Sequence, residues 1–132
     1  MTQHLSPGQM TTLKATLHER FESLRDSVHQ HLLKSDDERA RLLADTVRDT
    51  EDDSVADLVI DLDLAEIDRD LEELRDVETA LDRTRQDAYG LCTECRAPIP
   101  FERLSAYPTA KRCYRCQSMH EKTYAGKRTP KL

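Results

Sequence analysis

The chain has 132 residues, 37% of them hydrophobic and 35% charged, with no Trp and 3 Gly. That composition leaves little apolar material for a large globular core and little turn chemistry for a many-stranded sandwich or barrel, so elongated helical structure is expected. No run of about 18 apolar residues is present to span a membrane, and the first ten residues lack a signal-peptide pattern, so a cytoplasmic protein is expected. The formal net charge of −6 conceals a division. Residues 1–35 balance to +1, residues 36–90 to −13 and residues 91–132 to +6. So acidic a middle would be repelled by nucleic acid, whereas the basic end suits nucleic acid or an acidic protein face.

Ser6, Pro7 and Gln9 write a helix start: an N-cap hydroxyl, a proline at the first helical position and a capping-box partner three residues on. Leu5 and Met10 are spaced for a hydrophobic staple. Leu13, Leu17, Phe21, Leu24, Val28 and Leu32 then recur in steps of three and four, one apolar stripe on a helix. The stripe fades over residues 34–38 and resumes at Leu43 and Val47, which predicts continued helix with a local irregularity near 34–37. Residues 49–54, DTEDDS, hold no apolar side chain and read as a turn. A near-heptad seam follows at Ile60, Leu64, Ile67, Leu71, Leu74 and Leu81. Its expected position 78 holds Glu, with Val77 beside it. The second helix should stop near Tyr89-Gly90, with Gly90 as its cap. Two such helices would each extend about 50 Å. Periodicity alone fits a coiled-coil spacer or dimerisation rod equally well.

Cys92, Cys95, Cys113 and Cys116 form C-x2-C-x17-C-x2-C. This is the spacing of a four-thiolate zinc site, closed to water and substrate and hence structural. Zinc would supply folding energy that so small and apolar-poor a segment lacks. Arg96, Lys111, Arg112 and Arg115 would offset the two negative charges that four thiolates leave around one Zn2+, which accounts for part of the basic end without a partner. A redox C-x-x-C is expected in a βαβ setting that is missing here, and two symmetric pairs favour zinc over an iron–sulfur cluster. After Cys116 a short helix is expected to about Ala125, then a basic tail.

The stretch from Tyr89 to Cys116 resembles the DksA/TraR zinc-finger family. The likeness rests on Tyr89-Gly90, the cysteine pairs, Ile99, Arg103-Leu104, Ala106, Pro108 and Ala110, together with the length of the preceding hairpin. The resemblance implies a mainly α fold: a long antiparallel coiled-coil hairpin over 1–90 with its tip near 49–54, a zinc-finger module with a C-terminal helix over 91–125, and a tail over 126–132. It implies a transcription regulator, not an enzyme. Such a protein binds bacterial RNA polymerase through the secondary channel and brings its tip near the active site, without sequence-specific DNA binding. A slim acidic hairpin suits a channel with basic surfaces. The family tip motif D-x-x-D-x-A falls on Asp49, Asp52 and Ser54. Serine replaces the alanine, and its hydroxyl must find a partner if buried on docking.

Two further departures carry consequences. Arg96 stands where the family usually has Gly for a tight turn. For the alarmone ppGpp, Arg69 matches one basic position, but Asp76 and Gln117 stand where lysine is usual, and an acid repels phosphate. Two other function classes are compatible with parts of the pattern. One is a Gre-type transcript-cleavage factor, whose tip carboxylates would help hold a catalytic magnesium. The other is a zinc-ribbon that binds nucleic acid through the basic end, which lacks the aromatic-rich basic face such binding favours. The five histidines do not pair with the cysteines at ligand spacing.

Overall fold

The structure, a computed structural model, describes residues 4–50 and 54–127, with side chains to residue 123. In chain order the helices are α1 (Pro7–Lys34), α2 (Glu38–Asp49), α3 (Ala56–Val59) with a 3-10 turn at Ile60–Leu62, α4 (Ala65–Arg85), α5 (Phe101–Ala106) and α6 (Tyr114–Lys127). Among the described residues the only β pairing is a single bridge between Leu91 and Pro98. Among the described residues no helix is long and apolar enough to cross a membrane.

The start of α1 follows its sequence signals. Ser6 Oγ accepts the Gln9 N–H at 3.0 Å and Gln9 Oε1 accepts the Ser6 N–H at 2.9 Å. Leu5 is buried and Met10 packs on the same core. The whole α1 stripe, from Leu13 to Leu32, is buried. It faces α4, which supplies Ile67, Leu74, Val77 and Leu81. Arg20–Glu73 at 2.8 Å and Ser27–Asp70 at 2.5 Å fix the two helices as antiparallel. This is the expected long antiparallel pair, about 42 Å of α1 against about 32 Å of α4 at 1.5 Å per residue.

The connection between them differs from the expected tip. The irregularity near 34–37 is a complete reversal. Ser35 and Asp37 are both extended, and α2 runs back along α1 until Thr50 reaches Arg25, whose Nη1 donates to the Thr50 carbonyl at 3.0 Å. On the far side of residues 51–53, which lie outside the described set, the Val55 and Ala56 N–H groups donate to Glu78 Oε2 at 2.8 and 3.0 Å. The described flanks of the acidic stretch therefore lie beside the middle of α1 and α4. The far end of the molecule is formed by Lys34–Asp37 together with Leu64 and Glu66.

The reason is packing area. A two-helix rod leaves much of each stripe wet, whereas α2 and α3 lay Ala40, Ala44, Val47, Val55, Ala56, Val59 and Leu62 on it, all buried. The second helix accordingly begins at Ala65, after Asp63 takes a left-handed φ of 51°. Ile60 and Leu64 fall outside the tightly buried seam.

The helix stop also shifts. α4 ends at Arg85, and the left-handed residue after it is Asp87, φ 56°. Gly90, expected as the cap, has another task. Its φ is 87°, and a Cβ there would stand 3.1 Å from both His4 and Leu5 side-chain atoms, so only glycine lets the N-terminal segment lie across this turn.

Candidate functional site: a four-cysteine centre at the base of a helical body

The first cysteine pair sits on a tight turn. The Cys92 N–H donates to the Ala97 carbonyl at 2.9 Å, and the Arg96 N–H returns to the Cys92 carbonyl at 3.0 Å. Closing this turn places Arg96 at φ 68°. A side chain in that region costs about 1–2 kcal/mol, the strain expected from its standing in place of glycine. The second pair straddles the start of α6, with Cys113 just before it and Cys116 in its first turn. The Thr93 N–H donates to the Lys111 carbonyl at 2.8 Å and holds the two halves together.

The remaining residues of the module each have a physical task. Tyr89 is buried and its hydroxyl donates to the Pro108 carbonyl at 2.7 Å. Burial pushes that phenol up to about 12. Ile99, Leu104 and Ala110 fill the small core, which joins that of the helices. Arg103 lies over Tyr114 at 4.5 Å and Tyr107 at 5.9 Å while its Nε donates to the Arg112 carbonyl at 3.2 Å. His4 Nε2 bonds the Ile99 carbonyl at 2.7 Å, which ties the N-terminus to the module. The helix α5, which carries Arg103 and Leu104, had no clear signal: six residues are too few for periodicity.

All four cysteines are free, and their sulfurs lie within 4.8 Å of one another. The Cys95 and Cys113 sulfurs are 3.8 Å apart. Sulfurs about 2.3 Å from a tetrahedral Zn2+ would be separated by about 3.8 Å, so the donor set fits zinc in both chemistry and spacing. Without a cation, four thiols so close cannot all ionise. Burial pushes the Cys92 thiol up, but hydrogen bonds from the Cys95, Cys113 and Glu94 backbone and the Cys116 side chain outweigh it and bring it to about 6. At Cys116 burial, with the hydrogen bonds of the other three thiols, pushes the group up to about 12. Cys92 thus ionises readily, while Cys116 keeps its proton until a metal supplies positive charge. Among the basic residues expected to balance the thiolates, Arg112 is partly engaged by Glu94 at 3.7 Å. Arg83 went unmarked in the sequence. It lies close enough to Cys92 to feel its charge, and its Nη2 donates to the Ala88 and Leu91 carbonyls at 2.8 and 2.7 Å.

The other candidate residues do not gather into one site. Asp49 is exposed and 3.1 Å from Arg48 Nε. Ser54 is exposed, and Asp52 lies outside the described residues. Arg69 is exposed on α4, two turns from Asp76. Asp76 is half-buried, and burial raises its carboxyl above the usual range against the opposing pull of Lys111. Gln117 is bonded to Glu121 at 2.8 Å. Besides Arg83, sequence reasoning missed the roles of Arg25 and Glu78, which hold the two described flanks of the acidic segment. Their signal was a glutamate at a seam position, where an apolar residue was due.

The prokaryotic dksA/traR C4-type zinc finger matches residues 88–122. The chain is 27% identical over 119 residues to the RNA polymerase-binding transcription factor DksA of Salmonella typhimurium, which covers 90% of this chain and 76% of the relative. It is 58% identical over 31 residues to an uncharacterised 8.2 kDa protein of Escherichia phage P2, covering 24% of this chain and 42% of that one. Among solved structures, transcription factor DksA2 from Pseudomonas aeruginosa superposes with a TM-score of 0.60 at 21% identity, over 92% of this chain and 90% of that one. The four cysteines are therefore the ligand set of a C4-type zinc finger.

Proposed function

We propose that this chain, a DksA-like member of the DksA/TraR zinc-finger family, regulates transcription in the cytoplasm by binding RNA polymerase. The observation that carries this reading is the reach of the DksA likeness. It spans 90% of the chain and so takes in the acidic helical part as well as the zinc finger. In this reading the zinc module is a rigid base, the helical body enters the secondary channel, and the acidic stretch, whose described flanks lie beside the middle of α1 and α4 in this structure, is brought near the active site. Asp49, Asp52 and Ser54 are the contacting residues, and steering comes from the −13 charge of residues 36–90. The protein binds no DNA sequence and no membrane. Arg69 is a contact for polymerase or for ppGpp, and the half-buried Asp76, seven residues along α4, disfavours phosphate there.

The test is co-purification with RNA polymerase followed by in vitro transcription with and without ppGpp. Asp52→Asn should retain polymerase binding and lose the effect on promoter output. Unchanged output in that variant rules out the acidic stretch as the acting part. Absence of polymerase binding by the wild type rules out the whole reading.

A further inference from the structure

We infer that α2 and α3 form a releasable flap, hinged at 35–37 and 63–64 and clasped by Arg25 and Glu78, which opens to lengthen the finger when polymerase is bound. The inference rests on the polymerase-binding reading and adds a conformational step to it.

The hinges come first. Both connections of the segment 38–62 to the main helices lie at one end of the molecule, where Lys34–Asp37 and Leu64–Glu66 line a common cleft. At one hinge Ser35 and Asp37 are extended; at the other Asp63 has φ 51° and Leu64 is extended. Returning these few residues to helical angles joins α1 to α2 and α3 to α4. The 12 residues of α2 would then add about 18 Å to the finger.

The flap is also the lightly held layer. Its buried side chains are mostly Ala and Val, whereas the α1–α4 seam is built mainly from Leu, Ile and Phe. Burial energy scales with apolar area, so the flap is the part that opens at least cost. Among the described residues, its polar ties to the main helices include the Arg25 bond to the Thr50 carbonyl and the paired Glu78 bonds to the Val55 and Ala56 N–H groups. Glu78 is half-buried there, and burial raises its carboxyl above the usual range.

The closed form carries unspent costs as well. Arg25 Nε and His29 Nε2 are buried without a hydrogen-bond partner, one helical turn apart on α1. Leu42 is 72% exposed and Ile60 42% exposed. The heptad spacing of Ile60, Leu64 and Ile67 is that of a continuous helix, so the open form is encoded in the same sequence.

The experiment uses the full zinc-loaded chain with two variants. Glu78→Ala removes the acceptor, and Glu78→Gln keeps an oxygen for the two amides. In the free protein, Glu78→Ala should speed amide hydrogen exchange across residues 38–50 and 54–62 on the order of ten-fold, with residues 67–81 unchanged. Because a closed majority reduces apparent affinity by the open fraction, the same variant should bind RNA polymerase several-fold more tightly. Glu78→Gln should return both readings toward wild type. Exchange that rises equally in 67–81 overturns the flap, as does an opened flap with unchanged or weaker binding. A wild type that does not bind polymerase overturns the polymerase reading and with it the role assigned to opening. The exchange arm is read independently of that result, and unchanged exchange over 38–62 in Glu78→Ala overturns the clasp itself.

Discussion

The zinc module and the α2–α3 flap are similar in size and opposite in how they are held. The module has few apolar residues, and a metal centre fixes its shape: two turns and a helix start are forced into one arrangement by four sulfurs within 4.8 Å. Within it the Cys92–Ala97 turn holds Arg96 at φ 68°. The flap has no such clamp. Among the described residues, seven buried apolar side chains, most of them small, and three hydrogen bonds lay it on the main helices. The difference teaches that the metal centre and the α1–α4 seam are the firmly held parts of this protein, and that the acidic layer laid on the helices is the lightly held one.

The comparison breaks most visibly if the metal is removed. Zinc binding in small modules is worth on the order of 10 kcal/mol, so a strong chelator, or Cys113→Ser, should unfold residues 88–123 while α1 and α4 keep their helicity. Circular dichroism with and without zinc reads the first, and amide exchange of residues 13–32 reads the second. Loss of both together would mean that the base is not separately clamped.

Ala44→Leu comes next. Ala44 is fully buried where α2 lies on the core, and overpacking such a site costs roughly 1–3 kcal/mol. Equilibrium denaturation should show that loss or, if the flap opens instead, global stability close to wild type with fast exchange confined to residues 38–62.

Within the module Tyr89→Phe removes the buried bond to the Pro108 carbonyl and should cost about 1–2 kcal/mol. Tyr89 also sets an alkaline limit. Its folded-state proton is held to about 12, above the ordinary 10. Its contribution is therefore complete below about 10 and is lost as pH rises toward 12. Absorbance titration of the phenolate alongside stability measures this.

The smallest effect has the opposite sign. Arg96→Gly relieves the left-handed backbone and should stabilise the module by roughly 1 kcal/mol, visible as a higher melting temperature with zinc bound.

The sequence on its own determined the parts whose physics is local or stoichiometric. Ser6, Pro7 and Gln9 close the first turn of α1 through neighbouring atoms, the stripe from Leu13 to Leu32 follows from helical period, and four cysteines in two C-x2-C turns can converge on one ion wherever else the chain goes. Tertiary structure alone decided the course of residues 35–64. Both a straight rod and a folded-back flap satisfy the same periodicity. The choice between them lies in long-range terms: Ala40 and Ala44, too small to register as core in a pattern, are buried against the stripe, and Glu78 caps backbone more than twenty residues away. Gly90 shows the same division. Its residue type announced a turn, but only the approach of His4 and Leu5 from the other end of the chain explains why nothing larger fits there.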